Sequence, residues 1–229
     1  MWVFPLAAAI VSGYFSWLLA IQFADKRRPN VLAWSVALGM FSLASAAAAY
    51  GSLAGWSPFI FRTYYLFGAI LNVPALALGT LYLLASRRVA DGAAVLLAAA
   101  STVAAVIVFR ASIAGAGLDT EGIPRGAEVL SEGVRLLSRY FSITGFLIVV
   151  GGALWSAARL ARQRQPHLRR LAGANLLIAL GTTVVAVASE MARIATGSVE
   201  DVIFAVGLFI GVSVMFAGFL KTRAPRVVP

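Results

Sequence analysis

The 229-residue chain has no cysteine and a single histidine, His167, and its only lysines are Lys26 and Lys221. Without cysteine there can be no disulfide, thiolate metal centre, iron–sulfur cluster or cysteine nucleophile. One histidine excludes haem held by two histidines and any multi-histidine zinc centre. Charge is also scarce: 12% of residues are charged against 61% hydrophobic, and the mean hydropathy is +0.89. A soluble domain of this length cannot hide that much apolar surface, so the composition indicates a membrane protein.

Seven apolar runs are present, at about 2–23, 31–53, 61–84, 90–109, 137–160, 171–191 and 202–220. Each is long enough to cross a hydrocarbon core of roughly 30 Å as a helix. Backbone groups in lipid must be satisfied within their own segment, and barrel strands would be shorter and alternate polar with apolar. The expected fold is therefore all-α, a single domain of seven transmembrane helices. The first run has no positive charge before it and Lys26, Arg27 and Arg28 after it, which reads as a retained helix and not a cleaved signal.

Charge alternates with every crossing. Connections one–two, three–four, five–six and the C-terminal tail carry Lys26, Arg27, Arg28, Arg87, Arg88, Arg159, Arg162, Arg164, Arg169, Arg170, Lys221, Arg223 and Arg226. The other side carries Arg62, Arg110, Arg125, Arg135, Arg139 and Arg193, together with most of the acids. The positive-inside rule then places the N-terminus outside and the C-terminus in the cytoplasm, with no soluble domain appended. The net charge of +10 belongs to the inner face, where it suits anionic lipid and is not a nucleic-acid footprint. Arginine in preference to lysine, with abundant alanine, points to a GC-rich bacterial genome and so to a bacterial cytoplasmic membrane. Trp2, Trp56, Tyr64, Tyr65 and Tyr140 are expected at the outer interface, Trp34 and Trp155 at the inner one.

The long outer connection becomes helical from about 126 to 139. Leu130, Val134, Leu137 and Phe141 form its apolar stripe, and Glu128, Glu132, Arg135 and Arg139 the polar one. This amphipathic segment either lies on the surface or extends the fifth helix. Gly68 and Gly79 are spaced like Gly207 and Gly218, and Trp17 and Trp155 are offset by nearly the same amount as these pairs. That pattern suggests a weak 3+1+3 parallel repeat, an arrangement found in transporters.

The candidate ligand-binding residues gather at the outer helix ends. Arg62, Tyr64 and Tyr65 open the third run, Arg110 closes the fourth, Arg139 and Tyr140 open the fifth, and Glu190 and Arg193 close the sixth. Guanidinium forks bind carboxylate or phosphate bidentately, and tyrosines offer ring faces and hydroxyls. If these converge, they form a mouth for a small anionic or amphiphilic ligand. Glu190 can equally pair with Arg193 three residues on. Deeper in the third run, Gly68, Asn72, Ala75 and Gly79 share a small face on which Asn72 is expected to make an interhelical hydrogen bond of about 1 kcal/mol. Pro74 is expected to kink this helix and free the carbonyl of Ile70. Gly207 and Gly211 form a close-packing pair.

Several functions are excluded by what is missing at mid-membrane. Retinal proteins need a lysine halfway along the last helix, and sugar transporters of the 3+1+3 type carry proline–glutamine pairs that are absent here. No Asp, Glu, His or Lys lies where proton relays and ion-coupled transporters keep them. His167 is read as a solvated residue of the inner loop. Ser101, Thr102, Ser142, Thr144, Thr182 and Thr183 lack a histidine to activate them and are expected to bond to their own helices. No enzyme activity, cofactor or metal is expected. The expected partners are membrane lipids, anionic lipid at the inner face, a small ligand at the outer mouth and a protein docking at Arg159–Arg170. Three roles fit: a ligand- or lipid-binding sensor or accessory subunit, a facilitative transporter or channel, or a structural subunit of a larger complex.

Overall fold

A computed structural model describes residues 2–120, 122–162, 166–194 and 198–223; side chains at 166–170, 190, 192–194, 198–201, 204, 205, 219, 222 and 223 lie outside the description. The described residues form long helices and contain no strand. The helices are α1 (Val3–Lys26), α2 (Pro29–Ala54), α3 (Pro58–Leu84), α4 (Arg87–Arg110), α5 (Glu132–Ala161), α6 (Pro166–Ile194) and α7 (Ser198–Arg223). Six are long and apolar enough to cross a membrane, the qualifying stretch in α6 being Leu171–Ser189; α7 carries a shorter apolar stretch, Val206–Gly218. These features fit an integral membrane protein.

Each apolar run lies within one helix, and most helices extend beyond their runs because local backbone chemistry ends them, not hydrophobicity. Pro29, Pro58 and Pro166 stand at first helical positions, where a missing N–H costs nothing. The Ser57 hydroxyl caps α3 by accepting from the Ile60 amide at 3.3 Å. Arg27, in the left-handed region at φ 49°, and the extended Arg28 before Pro29 turn the chain from α1 into α2 within two residues. His167 falls in the first turn of α6 and not in a loop, because the helix starts at Pro166.

In space α1, α2, α3, α5, α6 and α7 follow one another as neighbours, and α7 closes the circuit against α1. Helix α4 stands outside this ring, packed on α3 and only lightly on α5. Its apolar stretch is 11% buried, against 50% for α2. Val95 and Leu96 are more than two-thirds exposed, a surface that suits lipid and not water.

Small residues and hydroxyls hold the ring together. Ser16 and Ser35 exchange hydrogen bonds with each other's carbonyls at 2.7 and 2.8 Å, and Ser42 donates to the Ala9 carbonyl at 2.8 Å. The two contact levels lie seven residues apart on each helix, two turns, so α1 and α2 are in antiparallel register along one face. On α3, Gly68 faces Ala44 and Gly79 faces the Trp34 indole, whose Nε1 donates to the Leu76 carbonyl at 3.2 Å. Trp34 is therefore a wedge between α2 and α3, because Gly79 leaves room for its ring. Trp17 and Trp155 do face outward, at 56% and 68% exposure. Gly207 packs against Ala188, and Gly211 against Val185 and Gly181, joining α6 to α7. Phe15 and Phe216 meet at 4.9 Å between α1 and α7.

The connection from α4 to α5 holds a short 3₁₀ turn, Gly115–Leu118, and one helical turn, Gly126–Val129. The amphipathic helix expected over 126–139 is thus broken: Leu130 and Ser131 are extended, and α5 starts at Glu132. The break lets Val129 and Leu130 turn into the core beside Phe61, Tyr65 and Val134.

A cavity-free contact such as Gly79 on Trp34 tolerates no added atom. Gly79→Ala should destabilise the protein by about 1–3 kcal/mol through overpacking, read as a lower unfolding temperature in detergent. Gly92→Ala, at a site on α4 with nothing within 4 Å, should be neutral or mildly stabilising.

Candidate functional site

The site is built on α3. From Tyr65 to Leu71 this helix widens into π register, where a carbonyl looks five residues ahead instead of four. Pro74, which has no N–H to offer, follows this segment within the α-helical stretch Asn72–Leu84. The Ala69 carbonyl, next to the Ile70 carbonyl that α-helical spacing pairs with Pro74, accepts from two hydroxyls of α5, Ser138 at 2.8 Å and Ser142 at 2.9 Å. Ser142 bonds across to a neighbouring helix, contrary to expectation. Thr102, Thr182 and Thr183 do bond back to their own helices, to the carbonyls of Ala98, Ile178 and Ala179.

Helix α5 meets α3 along one stripe. Gly145 lies against Val73 and Pro74, and Gly152 against Thr80. Counting back by three and four from these glycines gives Ser142, Ser138 and Arg135, so Arg135 shares the face turned to α3. Sequence reading places Arg135 on the water-facing stripe; the structure half-buries it, with Nε enclosed and without a hydrogen-bond partner among the described residues. Midway along α3, Asn72 is 7% exposed and its Oδ1 likewise has no partner, so that atom does not make the expected interhelical bond.

The start of α3 and the 111–131 connection pack into one cap, hereafter the loop end. Trp56 donates from Nε1 to the Gly122 carbonyl at 2.8 Å and lies edge-on to Tyr64 at 5.7 Å. Trp56 is therefore half-buried in this cap rather than free at an interface. Phe61 is fully buried and stacks on Tyr65 at 5.8 Å, while Tyr65 lies against Gly126. Arg62 donates from Nη2 to the Ala111 carbonyl at 3.0 Å, just past the end of α4, and its Nε is buried without a partner among the described residues.

Of the nine candidate residues, Arg62, Tyr64 and Tyr65 are brought together in this cap. Asn72 lies below them on the same helix. Arg110, Arg139 and Tyr140 are exposed, Tyr140 at 68%, and among the described residues no hydrogen bond or ion pair draws them to the cap. The side chains of Glu190 and Arg193 lie outside the described residues. Sequence reasoning missed Arg135, Ser138 and Ser142 as a group, although their spacing with Gly145 and Gly152 carries the signal. Comparison with known proteins finds no match to this chain among family models, curated proteins or solved structures.

The two hydroxyls on Ala69 are mutually redundant. Ser138→Ala or Ser142→Ala alone should lower stability by no more than about 0.5 kcal/mol, since one bond still satisfies the carbonyl. The double variant should lose about 1–3 kcal/mol, the cost of a buried acceptor left without a donor. Unfolding temperatures in detergent should therefore show clear non-additivity, and additive losses would mean that neither hydroxyl relieves that carbonyl.

Proposed function

We propose that this chain is a non-enzymatic membrane protein of a bacterial cytoplasmic membrane. It has seven crossings and acts as a sensor or accessory subunit that binds a small anionic ligand at the loop end. The observation that carries this reading is the pair of enclosed, partnerless Nε–H groups on Arg62 and Arg135, both in the first two turns of helices that lead away from the cap. A buried donor without an acceptor costs about 1–3 kcal/mol, more when charged, and a carboxylate or phosphate answers a guanidinium bidentately. Tyr64 and Tyr65 supply the aromatic wall, and the exposed Arg110, Arg139 and Tyr140 form the approach. Glu190 and Arg193 are kept as proposed members on sequence grounds alone.

In this reading the loop end faces outward and the basic end inward, on the alternation of charge with each crossing. The basic end contacts anionic lipid, and the arginine-rich segment from Arg159 to Arg170, through those of its arginines that lipid does not occupy, is the docking surface for a protein partner. A parallel repeat is supported by a second polar pair: Asn175 donates to Ser156 at 2.7 Å between α5 and α6. These two residues have the same separation as Ser16 and Ser35 between α1 and α2.

A facilitative transporter is the second reading, favoured by the partnerless Asn72 Oδ1 beside the π register midway along α3. Native mass spectrometry of protein released in mild detergent separates the two. A small-molecule adduct lost in Arg62→Gln and Arg135→Gln supports the loop-end site. An adduct lost only in Asn72→Leu moves the site to the midplane and favours transport. A co-purifying protein lost on neutralising the arginines between α5 and α6 identifies a subunit of a complex.

Orientation has its own test, made simple by the absence of cysteine. Ala116→Cys should react with a membrane-impermeant maleimide on intact cells, and Arg88→Cys only after lysis. The reverse pattern would invert the topology.

A further inference from the structure

At the basic end of α5, Trp155, Ala158, Arg159 and Arg162 line a hollow of about 120 Å³. All four are exposed and lie on one side of the helix, within its last two turns. Neither guanidinium has a carboxylate partner: the ion pairs among the described residues are Arg87–Asp91 and Arg125–Glu128. Two cations three residues apart at a helix C-terminus also lie beside carbonyls that carry partial negative charge. That setting favours the cations but leaves their outward N–H groups free for an anion.

The surface above the hollow is apolar and equally exposed. Leu147, Gly151, Leu154 and Ala158 recur at three- and four-residue spacing on the outside of the bundle, with Leu147 63% and Leu154 50% exposed. A Cβ added at Gly151 would meet nothing within 4 Å, so the stripe has a shallow indentation at that level. From Leu147 to Ala158 the helix rises roughly 16 Å at 1.5 Å per residue. That is about half of a hydrocarbon core of roughly 30 Å, the depth of one leaflet. A free phosphate would use only the arginines. A diacyl phospholipid would use the arginines for its phosphate, the Trp155 indole at the glycerol level and the stripe for an acyl chain.

We infer that Trp155, Arg159 and Arg162, with the apolar stripe above them, form a defined binding site for one anionic phospholipid. This goes beyond the diffuse attraction of a basic surface for anionic lipid, and it does not depend on any ligand at the loop end. The guanidinium groups hold the phosphate by charge-assisted hydrogen bonds, with the forked geometry that lysine lacks. The amphipathic indole marks the boundary between headgroup and chain.

The test reconstitutes the full chain in phosphatidylcholine vesicles containing a minor fraction of phosphatidylglycerol. The protein is then released in mild detergent and its bound lipid read by native mass spectrometry. The wild type should retain one phosphatidylglycerol in preference to phosphatidylcholine. Arg159→Gln with Arg162→Gln should weaken that retention about 30-fold, the product of two contributions of the size a basic residue makes near an anionic surface. Arg28→Gln with Arg88→Gln removes the same charge at exposed positions away from the hollow and should leave retention unchanged. An equal loss in both double variants would reduce the effect to general surface charge and overturn the site. Displacement of the lipid by millimolar inorganic phosphate would overturn the lipid assignment in favour of a phosphate site. Circular dichroism of each variant guards against misfolding, and Trp155→Ala, which keeps all charge, should also weaken retention if the site is as described.

Discussion

The backbone carbonyl of Ala69 shows what the lipid phase demands of this chain. A proline inside an apolar helix removes a donor, and no water is at hand in hydrocarbon to replace it. Here two serines on α5 reach into that stretch from outside the helix and bond the Ala69 carbonyl. That solution fixes how α3 and α5 pack. Ser138 and Ser142 must face α3, so residues about one and three turns further along the same stripe must be small enough for close approach. Gly145 and Gly152 meet that need against Pro74 and Thr80. The same stripe carries Arg135, which is how a charged side chain comes to be half-buried.

The two halves of the ring use related means with different chemistry. Between α1 and α2 the contacts are reciprocal serine-to-carbonyl bonds; between α5 and α6 an amide meets a hydroxyl. Between α6 and α7, among the described residues, glycines make the close contacts and Thr182 adds a hydroxyl bond to the Met215 sulfur at 3.4 Å. Interhelical association in lipid cannot draw on a hydrophobic effect, so it relies on close packing and on polar bonds that have no better partner. Each interface of the ring shows one or both.

Much of the architecture can be read from the chain, because length and hydropathy are direct consequences of bilayer thickness. Every apolar run lies inside a helix, and the small-residue face of α3 does pack tightly, with Gly68 on Ala44 and Gly79 on Trp34. What could not be read depended on a neighbour. The π register before Pro74 and the two α5 hydroxyls on Ala69 depend on a packed neighbour, and nothing in the local sequence announces either. Trp34 and Trp56 look like interfacial tryptophans by position, yet a glycine opposite the first and a carbonyl in the long connection near the second turn both inward. Arg135 looked solvent-facing because Glu128, Glu132 and Arg139 are. The break at Leu130 and Ser131 changes the phase between Glu128 and α5, so the stripe read across 128–139 is not one helical face. The candidate site was therefore legible as a set of residue types at one depth, but not as the particular pair of arginines that the cap encloses.

Helix α4 has a bearing on how the protein reaches the bilayer. It has the highest mean hydropathy of the spanning helices, 2.4 against 1.8 to 2.0, and the least buried surface. A segment that will gain little from its neighbours has to partition into lipid on its own account, and the composition of α4 satisfies that requirement. Helices α1, α2 and α3 can carry buried serines, an asparagine and a threonine because partners will enclose them. Synthesis passes through α4 after the first three helices and before the last three. Such a segment needs no partner to be at home in lipid, whereas the Ala69 carbonyl of α3 meets its two hydroxyls only once α5 has been made.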